Sequence, residues 1–400
     1  MAIFEDHQYT SLPSMVTTAD LNPLLLHTTS LNASDVFIRS GKYIMANVFG
    51  NISQISKRKL AHKEIETWVE KIYEDQSGIL KLNSREAINK MYIINDGNNY
   101  LRYRANIIQT DGGMGTRGYE ITLRTIPLIP PDLDLTEIPM EIVNQWFQPT
   151  GMCLVVGATG SGKSTLIASL VKYVMQNPNV TKRIVTYEAP IEFTFERVPE
   201  LYSMITQTEV PTMIPTFKLA IEEALRRAPH DIYIGEMRDT QTIDNALLAA
   251  KSGHLLYSTL HVSNVAETLK RVSDMYPGDM RKSVLGDMVT NMRVIVSQRL
   301  LKTLDGKRTP IREYLVFNDK IRRELLSGDM DTISMRLQDF VNQKGVPFIV
   351  HCRQRVLEGK ISNEYLNQFM TESDMSLADI DKRIKELKED GNVMFQNNDL

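Results

Sequence analysis

The sequence predicts an α/β core with a smaller α+β domain before it and a helical region after it. Three observations carry this. Four strand candidates, Met152–Val156, Arg183–Tyr187, Asp231–Ile234 and Leu255–Thr259, alternate with helix-forming stretches, as strands and helices do in α/β folds. The Pro-rich segment Pro127-Leu-Ile-Pro-Pro131 sets this alternation apart from what precedes it, because proline removes donors and stiffens the chain. Beyond about Asp305 the apolar spacing becomes mostly helical.

In the first part, the initial ~20 residues lack periodicity and are expected to form a loose arm. Ser34 to Ile55 alternates apolar and polar residues with Gly41 and Gly50 as turns, which predicts short strands. Lys63 to Tyr73 is an amphipathic helix with Ile65, Trp68, Val69 and Ile72 on one face. Strands follow at Met91–Ile94, Tyr100–Ile108 and Gly118–Ile126, punctuated by Asp96-Gly97 and Asp111-Gly112-Gly113. The expected boundaries are 1–126 for this domain, 127–139 for a linker, 140–310 for the core and 311–400 for the helical region.

Gly157-Ala158-Thr159-Gly160-Ser161-Gly162-Lys163-Ser164-Thr165 is the most specific run in the chain. It places two glycines five apart before Lys and Ser/Thr, between a short apolar strand and a helix-forming stretch. Such a turn aims successive backbone N–H groups at an anionic phosphate. Lys163 would reach the β- and γ-phosphates of ATP, and the Ser164 hydroxyl would bind Mg²⁺. A chance Gly/Ser-rich turn is the rival reading, and the flanking pattern weighs against it.

The other strand ends offer acids. The second strand runs into Tyr187-Glu188-Ala189-Pro190, where Glu188 is either a base that orients an attacking water or a turn-capping acid. The third ends Ile234-Gly-Glu236-Met-Arg238-Asp239, which suits a Walker B acid at Glu236 and a helix cap at Asp239. His254 and His261 flank the fourth strand at opposite ends, and His261 could bond a γ-phosphate or water there. Arg102, Arg104 and Arg124 lie on strand-like segments with no obvious acidic partner, and Arg226 and Arg227 precede the third strand; each is also compatible with a solvated surface. The last helix carries Leu377, Ile380, Ile384 and Leu387 on one face, for packing on its own domain or for docking a partner. Gly391 is expected to end it.

Bulk composition narrows the class. With 46 basic against 49 acidic residues the net charge is −3, which argues against a nucleic-acid-coating surface. Cys153 and Cys352 are the only cysteines, so a disulfide framework is not expected and a four-cysteine zinc site is excluded. No run approaches the 18 apolar residues of a membrane span, and the N-terminus lacks the form of a signal peptide. A soluble intracellular protein is therefore expected, with membrane association only through partners.

With these segments in order, the chain resembles the secretion ATPases of type II and type IV secretion and type IV pili. The resemblance runs from about residue 30 to 370. It rests on Gly157–Thr165 as Walker A, Ile184–Phe193 as "Asp box", Leu225–Asp239 as Walker B and Ser252–Asn264 as "His box". Val296-Ser-Gln-Arg-Leu-Leu301 looks like a later helix of the family, and Leu101-Arg-Tyr-Arg104 and Arg124-Thr-Ile-Pro127 are similar to the retraction branch. The resemblance implies a PAS-like N-terminal domain, a RecA-like P-loop ATPase core and a homo-hexamer on an inner-membrane secretion or conjugation complex. It implies Glu188 as catalytic base, Glu236 as Walker B acid, His261 as γ-phosphate sensor, and Arg102, Arg104 and Arg124 as arginines that approach the nucleotide. Ala189 stands where the family has Asp, and Ala228 and His230 where it has acids, which puts metal and loop geometry in question. The Tyr-Glu-Ala-Pro variant looks most like the type IVB (Dot/Icm-like) branch and its conjugative-plasmid relatives. A pilus-retraction motor, a non-hydrolysing assembly scaffold and a DNA-pumping ATPase are the alternatives.

Overall fold

The computed structural model describes residues 7–97, 100–113, 115–134 and 137–392. The chain forms two compact units, Met1–Leu128 and Ile129–Leu400.

The first unit contains α1 (Leu21–Ser30), β1 (Ala33–Arg39), β2 (Tyr43–Val48), β3 (Asn51–Lys59), α2 (His62–Tyr73), α3 (Ser77–Asn83), β4 (Ile88–Asn95), β5 (Tyr100–Gly113) and β6 (Thr116–Ile126). Its strands make one antiparallel sheet in the order β3-β2-β1-β6-β5-β4. Side chains alternate across a strand, so Tyr103, Ala105 and Ile107 of β5 and Tyr119, Ile121 and Leu123 of β6 all bury on one face. The predicted face of α2 packs there, with Ile65, Trp68, Val69 and Ile72 fully buried.

The arm is not loose from His7 onward. Tyr9 N–H donates to the Ile55 carbonyl at 2.8 Å, extending the β3 edge. Trp68 Nε1 donates to Thr17 O at 2.8 Å. Glu64 accepts from Val16 N at 2.9 Å and Ala61 N at 2.7 Å, and Arg58 grips both Glu64 and the Pro13 carbonyl. Next, α1 appears where no helix was expected. Leu21, Leu24, Leu25 and Thr28 bury at helical spacing, and Pro23 is tolerated because it sits in the first turn.

The second unit contains α4 (Met140–Val143), β7 (Gly151–Val156), α5 (Lys163–Gln176), β8 (Arg183–Glu188), β9 (Met204–Glu209), α6 (Phe217–Ala224), β10 (Asp231–Ile234), α7 (Thr240–Lys251), β11 (Leu255–Leu260), α8 (Ala266–Ser273) and α9 (Gly278–Asn291). It continues with β12 (Met292–Lys302), β13 (Arg308–Val316), α10 (Asp319–Ser327), α11 (Ile333–Lys344), α12 (Phe348–Leu357), α13 (Asn363–Thr371) and α14 (Leu377–Glu389). Seven strands order as β13-β12-β7-β11-β10-β8-β9, parallel except for the β12–β13 hairpin. Every residue of β7 and β11 is buried, as in a sheet covered on both faces. One face packs α5 and α12–α14; the other packs α6–α11.

Several expectations change here. Val296–Leu301 lies within β12, a strand rather than a helix, because the strand pairs with β7 and β13 and sends Val294 and Val296 into one core and Ile295 into the other. The 310/311 boundary falls inside β13, so the sheet runs on to Val316 before the helices begin. Within the segment expected as linker, Pro130 O accepts from Lys172 Nζ on α5 at 3.0 Å, and Asp132 pairs with the same group at 2.7 Å. On α14, Ile380, Ile384 and Leu387 are buried while Leu377 is exposed, so the helix packs on its own unit.

Candidate active site

The phosphate loop leaves β7 at Val156 and enters α5 at Lys163. Gly160 and Gly162 take φ of +77° and +84°, the left-handed region that favours glycine. The first N–H groups of α5 have no partner inside the helix, which makes this end an anion cradle. Lys163 is buried, and its Nζ donates to the carbonyls of Gly157 at 2.8 Å and Ala158 at 2.9 Å. Burial lowers its pKa, while the carboxylates of Glu236 and Glu192 oppose the shift. An incoming phosphate would compete with those two carbonyls for the ammonium.

Glu188 ends β8 and is 6% exposed. Its carboxylate accepts from Thr186 Oγ1 at 2.7 Å and Gln207 Nε2 at 3.0 Å. Burial pushes the carboxyl up to about 7, and those hydrogen bonds only partly restrain it. A small cavity is lined by Glu188, Thr186, Tyr233 and Ser164 together. A carboxyl with a proton affinity near neutrality can accept a proton from a neighbouring water.

Glu236 stands two residues past the end of β10. It accepts from Arg238 Nε at 2.6 Å and lies 3.3 Å from His261 Nε2. Two motifs 25 positions apart thus meet at the carboxyl ends of β10 and β11. Thr259 Oγ1, donating to Gly235 O at 2.6 Å, stitches the same two strand ends. His254 sits at the opposite end of β11 and bonds the Ala249 carbonyl, a structural role. Asp239 caps α7, accepting from Thr242 N at 2.8 Å. Arg226 pairs with Glu223, and Arg227 reaches Tyr187 Oη at 3.3 Å.

A family profile described as "Type II/IV secretion system protein" matches residues 15–362. The chain belongs to this family. The type IV pilus retraction ATPase PilT of Pseudomonas aeruginosa is 31% identical over 306 residues, 76% of this chain and 84% of the relative. Among solved structures, the Legionella pneumophila ATPase DotB superposes with a TM-score of 0.83 at 34% identity, covering 92% of this chain and 99% of that one. The pilus retraction motor PilT with bound ADP gives 0.67 at 26% identity, covering 89% and 94%. The second unit is therefore the RecA-like fold of secretion ATPases.

In this secretion-family chain, Arg102, Arg104 and Arg124 gather on one face of the first unit's sheet, opposite the helix-covered core; Arg104 faces Arg124 in the β5–β6 register. Arg102 is buried, and the other two are exposed. Contrary to expectation, Arg124 has an acidic partner, Asp35, at 2.8 Å. Ala228 adopts φ +46°. Sequence reasoning missed Thr186 and Gln207. Thr186 was available, since two positions along a strand share a face. Gln207 was not, since only the β8–β9 pairing brings it near. No helix among the described residues is long and apolar enough to cross a membrane.

Proposed function

We propose that this chain is a hexameric ATPase that converts ATP hydrolysis into domain motion to power a type IVB secretion or conjugal transfer apparatus at the cytoplasmic face of the inner membrane. The observation that carries the hydrolytic reading is Glu188, desolvated to a proton affinity near neutrality and lining one cavity with Ser164. Similarity to DotB over 92% of the chain supports the choice of apparatus.

Glu188 takes the proton of the attacking water as the water oxygen bonds to the γ-phosphorus and the bond to the β–γ bridging oxygen breaks. Lys163 and the loop N–H groups hold the phosphates. Ser164 Oγ and the Glu236 carboxylate are hard oxygen donors that fit Mg²⁺, which when bound neutralises phosphate charge. Arg238 and His261 hold Glu236 in place, and His261 registers the loss of the γ-phosphate. Arg102, Arg104 and Arg124 supply cationic charge to the triphosphate during turnover. The deciding test is steady-state phosphate release by wild type and Lys163→Ala. Turnover that the variant abolishes supports the reading, whereas a wild type that binds ATP without releasing phosphate leaves the assembly scaffold.

A second reading, a pilus-retraction motor, is favoured by the 31% identity to PilT. Its chemistry is the same and its partner differs. Affinity capture against purified secretion-channel and pilus-platform cytoplasmic domains separates the two.

A further inference from the structure

Gln298 lies on β12 directly beneath the phosphate loop and is 3% exposed. Its Nε2 donates to the Ser161 carbonyl at 2.7 Å, and its Oε1 accepts from Arg312 Nε at 2.9 Å across the β12–β13 pair. A Cβ on Gly162 would stand 2.8 Å from that Nε2, and one on Gly157 would stand 2.5 Å from the Gln298 carbonyl. Two loop glycines therefore rest on this one residue.

We infer that Gln298 is a positioning residue for the phosphate loop, in an orientation fixed by Arg312. An amide side chain can present either its oxygen or its NH₂ to a neighbour, but a guanidinium only donates. Arg312 thus claims Oε1 and leaves Nε2 for Ser161. Arg312 is itself anchored, with Nη1 on the Glu137 carbonyl at 2.8 Å. The consequence for the loop follows from the planar trans peptide. With the Ser161 oxygen held toward β12, the Gly162 N–H points the other way, where an anion cradled by the loop would lie. Without that hold, the glycines at 160 and 162 leave this peptide free to rotate.

The inference rests on the nucleotide-binding reading, and the test separates the two. Gln298→Glu keeps the side chain's shape and its bond to Arg312, now as an ion pair, but sets an acceptor against the Ser161 oxygen. Titration with a fluorescent ADP analogue is expected to show affinity about tenfold or more weaker than wild type. The nucleotide-free melting temperature stays near the wild-type value, and hydrogen exchange of the loop amides speeds up. A purely structural role gives the reverse: lower melting with unchanged affinity. If Gln298→Glu does not fold, Gln298→Met, which removes the donor to Ser161 and also the acceptor of Arg312 Nε, is read by affinity and loop exchange alone. Wild-type affinity and loop exchange in either folded variant overturns the inference, as does loss of folding in both. A wild type that does not bind the analogue overturns the nucleotide reading instead.

Discussion

Glu188 sets folding against chemistry. Its carboxyl is raised to about 7 by burial, well above the ~4.3 of an unfolded glutamate. A raised acid is favourable to the fold below the unfolded value and loses that advantage as pH climbs through the folded one. Near pH 7.5 the ionised group therefore costs stability. Glu188→Gln keeps the Thr186 bond and the volume, so we expect the nucleotide-free protein to be more stable by roughly 1–3 kcal/mol. The same variant should bind ATP and lose about 10²–10⁴-fold in kcat. Thermal melts and phosphate release measure the two effects; normal turnover would remove Glu188 as base. In wild type, kcat should rise with pH through about 7, where the base form takes over, and a flat profile from mildly acidic to mildly alkaline pH would argue against it. Ala228 is one of five described non-glycine residues at positive φ, at +46°, where Cβ meets backbone. Ala228→Gly is expected to stabilise by about 0.5–1 kcal/mol, read as a higher melting temperature.

At the scale of elements, legibility follows how local the determining physics is. Strands β7, β8, β10 and β11 were readable because each is a short stretch rich in apolar and β-branched residues that ends at a turn carrying a candidate functional residue. The α2 helix was readable because its stripe is amphipathic. Strand β12 was not: Val296-Ser-Gln-Arg-Leu-Leu mixes polar and apolar residues, and its strand character comes from pairing with β7 and β13. The arm was misjudged for a similar reason, since nothing in residues 7–20 announces that Glu64 will accept from Val16. That carboxyl is 4% exposed. Burial alone would raise it, but the Arg58 guanidinium and then the Ala61 and Val16 amides pull it down to about 2. A depressed acid contributes stability that is present above the unfolded pKa and lost as pH falls through the folded one. Glu64→Gln should therefore destabilise the first unit by roughly 2 kcal/mol at neutral pH, with the difference shrinking between about pH 4 and 2. Urea melts at pH 7 and pH 3 test this; an equal deficit at both would show that shape rather than charge holds the arm.

For the whole molecule, the proposed function has the chain's two units contribute to one cycle. The second unit contains the loop and the two carboxylates proposed as base and Walker B acid, Glu188 and Glu236, while the arginines that the family resemblance assigns to the nucleotide lie in the first. Arg102 is the informative one. Its Nε and Nη1 are buried without a hydrogen-bond partner among the described residues. Leaving a buried cationic donor unsatisfied costs about 1–3 kcal/mol or more, so the group is poorly explained as a stabilising element. A triphosphate would satisfy it. Arg102→Ala in the full chain should therefore leave nucleotide-free stability unchanged or slightly raised. It should also reduce ATP turnover by about 10²-fold or more, the size of effect an arginine contributes when it meets transition-state charge. Light scattering with and without ATP, run on the same samples, shows whether the variant forms the same particle as wild type. Lost turnover in an equally stable particle of wild-type mass supports a charge-supplying arginine. A melting temperature that falls in step with activity would make Arg102 a structural residue, and ATP hydrolysis would have to draw its transition-state cation from elsewhere.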